Sequence, residues 1–183
     1  MENKDNISCK VILYGDSGIG KKDIIQCFIN NQCIDKIENP SYAFYNEKTL
    51  YYKEYKTSIT FEILDLEGLE VYPYNIIHGY SDTQIGIFVY DVTCKNSFNS
   101  IKDFWYKEIK KRGRKDMVIG LAGNNCHLFE EEQVTEDEGK KYAKEIGAIF
   151  QLTSCTHLIG INELFEECGR KFLENNKINK KIH

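Results

Sequence analysis

The chain has 183 residues, is 42% hydrophobic and 28% charged, and carries a formal net charge of −4. This length and composition suit a single globular domain with a sizeable core, and the acidic balance argues against nucleic acid as a partner. Seven cysteines, Cys9, Cys27, Cys33, Cys94, Cys126, Cys155 and Cys168, include no CxxC pair and are odd in number. They read as reduced thiols, not as a disulfide or zinc framework. The start, Met1-Glu2-Asn3-Lys4-Asp5, has no signal-peptide core, and no apolar run approaches transmembrane length, so a cytoplasmic protein is expected.

Apolar strand-like runs alternate with helix-period runs along the chain. Cys9–Tyr14 reads as a strand and Lys22–Asn31 as a helix, and Gln32–Asn46 has no clear period. Lys48–Tyr55 and Thr57–Leu64 read as strands joined by a tight turn. In the second, Ile59, Phe61 and Ile63 alternate with Ser58, Thr60 and Glu62, the period-2 pattern of a sheet with one face inward. Asp65–Gly68 punctuates its end. Ile85–Asp91 and Met117–Ala122 read as buried strands and Ile149–Leu152 as a short one. Ser97–Lys110 is amphipathic, with Phe98, Ile101, Phe104, Trp105 and Ile109 at helical spacing and expected in the core. Thr135–Ile146 is a helix opened by a capping box, Thr135 to Glu138. Ile161–Glu174 closes the chain, and the polar tail from Asn175 is expected to fray. Pro40 and Pro73 fall in expected loops.

This alternation predicts an α/β fold, a mostly parallel six-stranded sheet with helices on both faces, in one domain over residues 1–183. Ligands in such sheets bind beyond the carboxyl ends of the strands. The first loop at that edge is Gly15-Asp16-Ser17-Gly18-Ile19-Gly20-Lys21-Lys22, between a strand and a helix. That is the setting of a P-loop: glycines let the backbone wrap a phosphate, amide N–H groups point inward, and Lys21 reaches the outer phosphates. The pattern usually ends in Ser or Thr, whose hydroxyl holds Mg²⁺; here Lys22 stands in that place.

The loops at this edge resemble the nucleotide-binding motifs of the Ras superfamily of small GTPases, and most of all its Rab branch. Gly15–Lys21 is nearly the Rab form of the P-loop. Asp65-Leu66-Glu67-Gly68-Leu69-Glu70 stands where the family has Asp-Thr-Ala-Gly-Gln-Glu, and Phe88-Val89-Tyr90-Asp91-Val92-Thr93 resembles its fourth strand. Gly123-Asn124-Asn125-Cys126-His127 takes the place of Gly-Asn-Lys-Cys-Asp, and Thr153-Ser154-Cys155-Thr156 that of Thr-Ser-Ala-Lys. The resemblance runs from about Cys9 to Phe172. It implies a P-loop NTPase fold that binds GTP or GDP with Mg²⁺ and acts as a switch in membrane traffic or signalling. It further implies effector or regulator proteins at the switch regions, which here are rich in Tyr42, Phe44, Tyr45, Tyr72, Tyr74 and Tyr80. A monomer is expected.

By this resemblance, Lys21 grips the β- and γ-phosphates, Asp65 and Ser41 hold Mg²⁺, the Gly68 amide meets the γ-phosphate, and Asn124 is retained. The departures are equally specific. Lys22 places an ammonium where a metal-ligating hydroxyl belongs, and an ammonium repels the ion. Leu69 replaces the glutamine that orients the attacking water, so hydrolysis is expected to be very slow or absent. Glu67 adds a carboxylate near the γ-phosphate position, disfavouring a triphosphate. His127 cannot supply the bidentate acceptor that reads guanine, and Asn125 replaces the lysine that packs on the base. His127 reads either as an altered base contact or as an ordinary loop histidine. Cys155-Thr156 keeps only the backbone contact to the base. The alternative reading is therefore a nucleotide-free pseudo-GTPase serving as a protein-interaction module. No cysteine follows Cys168, so a prenyl anchor is not expected and any membrane contact would come through a partner. The run Lys110-Lys111-Arg112-Gly113-Arg114-Lys115 reads as a solvated helix end or as a site for an anionic partner or lipid.

Overall fold

In the computed structural model, residues 5–37, 45–65 and 82–182 are described. Six strands, β1 (Asp5–Tyr14), β2 (Tyr45–Tyr52), β3 (Thr57–Leu64), β4 (Ile85–Asp91), β5 (Val118–Asn124) and β6 (Ile149–Leu152), form one sheet in the order β2-β3-β1-β4-β5-β6. Only the β2–β3 pair is antiparallel; β1 pairs in parallel with both β3 and β4, β4 with β5, and β5 with β6. The expected P-loop NTPase architecture is thus present. β1 begins earlier than its apolar run suggests, because the register carries Asp5 level with Thr57 and every intervening residue finds a ladder partner on β3.

Alternation along the central strands divides the core into two layers. Val11, Leu13, Ile85, Ile87 and Val89 face α1 (Lys21–Asn30) and the closing helix, Ile161–Ile182. There Phe28 stacks on Phe165 with centroids 3.8 Å apart, and both meet the edge of Phe61. Ile12, Tyr14, Phe88, Tyr90 and Leu121 face the other way, against α2 (residues 95–112) and α3 (Glu136–Ile146). α3 starts at the expected capping box, with the Glu138 amide donating to Thr135 Oγ1 and the Thr135 amide to Glu138 Oε2. The closing helix, α4, continues through the polar stretch from Asn175 to Ile182 instead of ending at Glu174.

α2 spans residues 95–112 and corrects one expectation. It is α-helical over Lys95–Ser100, π-helical over Ile101–Trp105 and α-helical again over Tyr106–Arg112. The wider turn inserts an extra residue and breaks the 3.6-residue period. Phe98, Ile101 and Ile109 are buried as the spacing predicts, but Phe104 is 56% exposed and lies edge-on to Trp105, which is only half-buried.

Candidate functional site

The loop after β1 is closed by glycine geometry. Gly15 has φ 145°, and a Cβ there would lie 2.3 Å from the Val89 carbonyl oxygen. Gly20 caps the N-terminus of α1 at φ 89° with no side-chain cap, and a Cβ there would lie 2.5 Å from Asn124 Nδ2. Neither position tolerates a side chain, so the loop takes this path because both residues are glycine. Lys21 is 4% exposed, and its ammonium donates to the carbonyls of Gly15 (3.0 Å) and Asp16 (2.6 Å), spanning the loop from its helix end to its strand end. Ile19 is buried beneath, whereas Ser17 and Gly18 are exposed at the rim. A buried ammonium, a helix N-terminus with a glycine cap and a glycine-lined turn make a cradle suited to a phosphate.

Neighbouring loops hold the cradle in place. Asn124, 1% exposed at the end of β5, donates from Nδ2 to the Ile19 carbonyl (2.9 Å) and accepts at Oδ1 from Thr153 Oγ1 (3.1 Å). Asn124 therefore braces the phosphate loop against the loop after β6. The Trp105 indole N–H donates to Asp16 Oδ1 at 2.9 Å. This contact escaped the sequence reading, because helical spacing assigns Trp105 to the core and only the π-helical turn aims it at the loop. Asp65, 9% exposed, follows the Ile12–Leu64 pair at the end of β3 and so lies beside the loop.

The base-recognition loops are differently committed. Asn125, at φ 64°, is tied to the end of β4: its Nδ2 donates to Asp91 Oδ2 at 2.8 Å. The other Asp91 oxygen accepts from the Thr93 amide and hydroxyl at 2.8 and 2.7 Å. His127 Nδ1 lies 2.9 Å from Ser154 Oγ. That same hydroxyl accepts from the His157 amide at 3.2 Å, and the two imidazole centroids are 5.2 Å apart. His157 is a second residue missed from sequence, since nothing in its spacing marks it. Cys155 is buried; its carbonyl accepts from the Ile34 amide, and hydrogen bonding to Cys27, reinforced by burial, pushes its thiol up. Thr156 is exposed.

The structure thus gathers Gly15–Lys22, Asp65, Asn124, Asn125, His127 and Ser154–Thr156 at one edge of the sheet. Ser41, Glu67, Gly68 and Leu69, with Tyr42, Phe44, Tyr72, Tyr74 and Tyr80, lie outside the described residues. The donor set fits a phosphate. Where the family motif has an aspartate this chain has His127, and the Asn125 side chain is held by Asp91. At the metal position, Lys22 on the first turn of α1 offers no ligand oxygen.

A sequence model of the Ras family matches residues 10–174. The chain is 35% identical to the human Ras-related protein Rab-22A over 162 residues, 88% of this chain and 82% of that protein. It is 32% identical to Ras-related protein RHN1 of Nicotiana plumbaginifolia, over 91% of this chain and 82% of the relative. It is 33% identical to Ras-related protein Rab-5A of Dictyostelium discoideum, over 93% and 84%. With the sheet order, the phosphate cradle and these relatives in agreement, the chain belongs to the Ras family, among its Rab-like small GTPases.

Proposed function

We propose that this protein is a Rab-like nucleotide-binding switch in membrane traffic whose phosphate cradle is intact, whose base selectivity is relaxed and whose hydrolysis is slow or absent. The observation that carries this reading is Lys21, buried and fixed across the loop by the Gly15 and Asp16 carbonyls at the N-terminus of α1. A loop built this way favours phosphate anions whatever base is attached. The Rab-5A and Rab-22A relatives support a role at membranes, with effector or regulator proteins as partners.

Bound GTP would supply the γ-phosphate whose presence distinguishes the two switch states. Lys21 and the α1 amides would hold the phosphates, and Asn124 would keep their loop in register. Lys22 supplies charge where the family places a Mg²⁺ ligand, so the site would neutralise phosphate with a second ammonium and depend less on the metal. Leu69 has no group to orient a water, which favours a slow off-step. A second reading, a nucleotide-free interaction module, is favoured by the Asn125–Asp91 and His127–Ser154 bonds, which occupy the side chains that would face a base.

The two readings separate on one experiment. The protein is purified gently, denatured, and the released nucleotide identified and counted. Near one nucleoside diphosphate or triphosphate per chain is expected for the switch. No nucleotide, with no binding when GDP is added back at millimolar concentration, leaves the module.

A further inference from the structure

A concavity of about 660 Å³ opens at the end of the sheet opposite the phosphate loop, where β5 and β6 begin. Its floor is apolar and comes from three elements and the turns between them: Tyr106 and Ile109 of α2, Met117 and Ile119 around the start of β5, and Ile146 at the end of α3 with Ala148 just after it. Its rim carries Lys110, Arg114, Lys115 and Lys171, with no carboxylate among the lining residues. In a chain of net charge −4 this is a local reversal of sign. Two rim cations have partners just outside: Arg114 is held by Asp116 at 2.8 Å and Lys171 by Glu174 at 3.1 Å. Lys110 instead lies over the Tyr106 ring, 5.4 Å from its centroid, and Lys115 has no carboxylate partner among the described residues.

We propose that this groove binds one anionic membrane phospholipid, with an acyl chain on the apolar floor and the phosphate between Lys110 and Lys115. A concavity of a few hundred Å³ suits a single small amphiphile better than a folded partner. The ligand must be apolar along its body and negative at one end, because floor and rim differ in that way. The rim also continues into the exposed side chains of Lys111 and of Arg112, the latter paired with Glu108 at 2.8 Å, so the run from Lys110 to Lys115 presents further cations beside the groove, suited to an anionic leaflet. No helix among the described residues is long and apolar enough to cross a membrane, so this contact is peripheral. The groove lies at the far end of the sheet from the phosphate loop, and the proposal stands whether or not nucleotide is bound.

The test uses the full chain and flotation with large unilamellar vesicles. Vesicles of phosphatidylcholine and phosphatidylserine at four to one should carry the protein up, and pure phosphatidylcholine vesicles should not. Lys110→Gln with Lys115→Gln should weaken binding about twenty-five-fold, about fivefold for each lysine. Ala148→Trp fills the floor and leaves every charge in place, so it should weaken binding at least as much as the lysine variant does. Wild-type binding by a correctly folded Ala148→Trp protein would reduce the effect to adsorption on the basic run and overturn the groove. Should that variant not fold, amide shifts of the wild-type chain with sub-micellar dihexanoyl-phosphatidylserine decide the matter. Shifts at Ile119 and Ala148 support the site; shifts confined to exposed lysines, or spread to the phosphate loop, overturn it. Failure of the phosphatidylserine vesicles, or an acidic peptide shifting the same amides while vesicles do not bind, would overturn it too.

Discussion

Asn124→Ala tests how the phosphate loop is held. The wild-type side chain is 1% exposed and joins two buried groups, the Ile19 carbonyl and the Thr153 hydroxyl. Truncation leaves both without this partner, at about 1–3 kcal/mol for each unsatisfied group. Relaxation of the loop recovers part of that, so a net loss of about 3 kcal/mol is expected, a large share of a typical domain's stability. For a chain of this size each kcal/mol moves the melting temperature by about 2–4 °C, giving a fall of about 6–12 °C. Thr153→Val removes only one of the two bonds and should cost about 1 kcal/mol. Thermal unfolding followed by far-UV circular dichroism reads both variants. If Asn124→Ala melted within about 2 °C of wild type, the phosphate loop would not depend on this brace and its assigned role would be wrong.

Three further outcomes follow from the same geometry. Trp105 is the sole tryptophan and donates to Asp16, so its emission should change when a nucleotide or pyrophosphate enters the cradle and in Asp16→Ala; emission insensitive to both would place the indole away from the loop. Leu69→Gln alone should restore little GTP hydrolysis, since Lys22 still stands where a metal ligand belongs, and a phosphate-release assay showing substantial turnover would refute this. Nucleotide affinity should be nearly unchanged by EDTA; a loss of about a hundredfold on chelation would show that Mg²⁺ is required despite Lys22.

Much of the fold is legible in the sequence because the central strands obey a simple rule. Ile59, Phe61 and Ile63 alternate with polar neighbours, and all three are buried against the helices. The box at Thr135 and Glu138 marks the start of α3 to the residue. The π-helical turn in α2 is not legible: a run that reads as regular amphipathic helix accommodates one extra residue, which turns Phe104 outward and Trp105 toward Asp16. Within the site, the glycines and Lys21 identify the cradle from sequence, because close backbone approach permits nothing else. The base loops are harder to read. Substituting Asn125 and His127 says what contacts are lost, but their new partners, Asp91 and Ser154, are distant in the chain and become neighbours only through the β4–β5 register and the loop after β6.

The proposal of a relaxed base site is tested most directly by measuring the affinities of GDP and ADP side by side through Trp105 emission or calorimetry. A site that matches guanine with paired hydrogen bonds rejects a mismatched base by about 10⁴-fold or more. With Asn125 tied to Asp91 and His127 to Ser154, the two nucleotides should bind within about a hundredfold of each other, and Asn125→Lys with His127→Asp should widen the gap in favour of GDP. A wild-type preference for GDP of about 10⁴-fold, or a double variant with no gain for GDP, would contradict it.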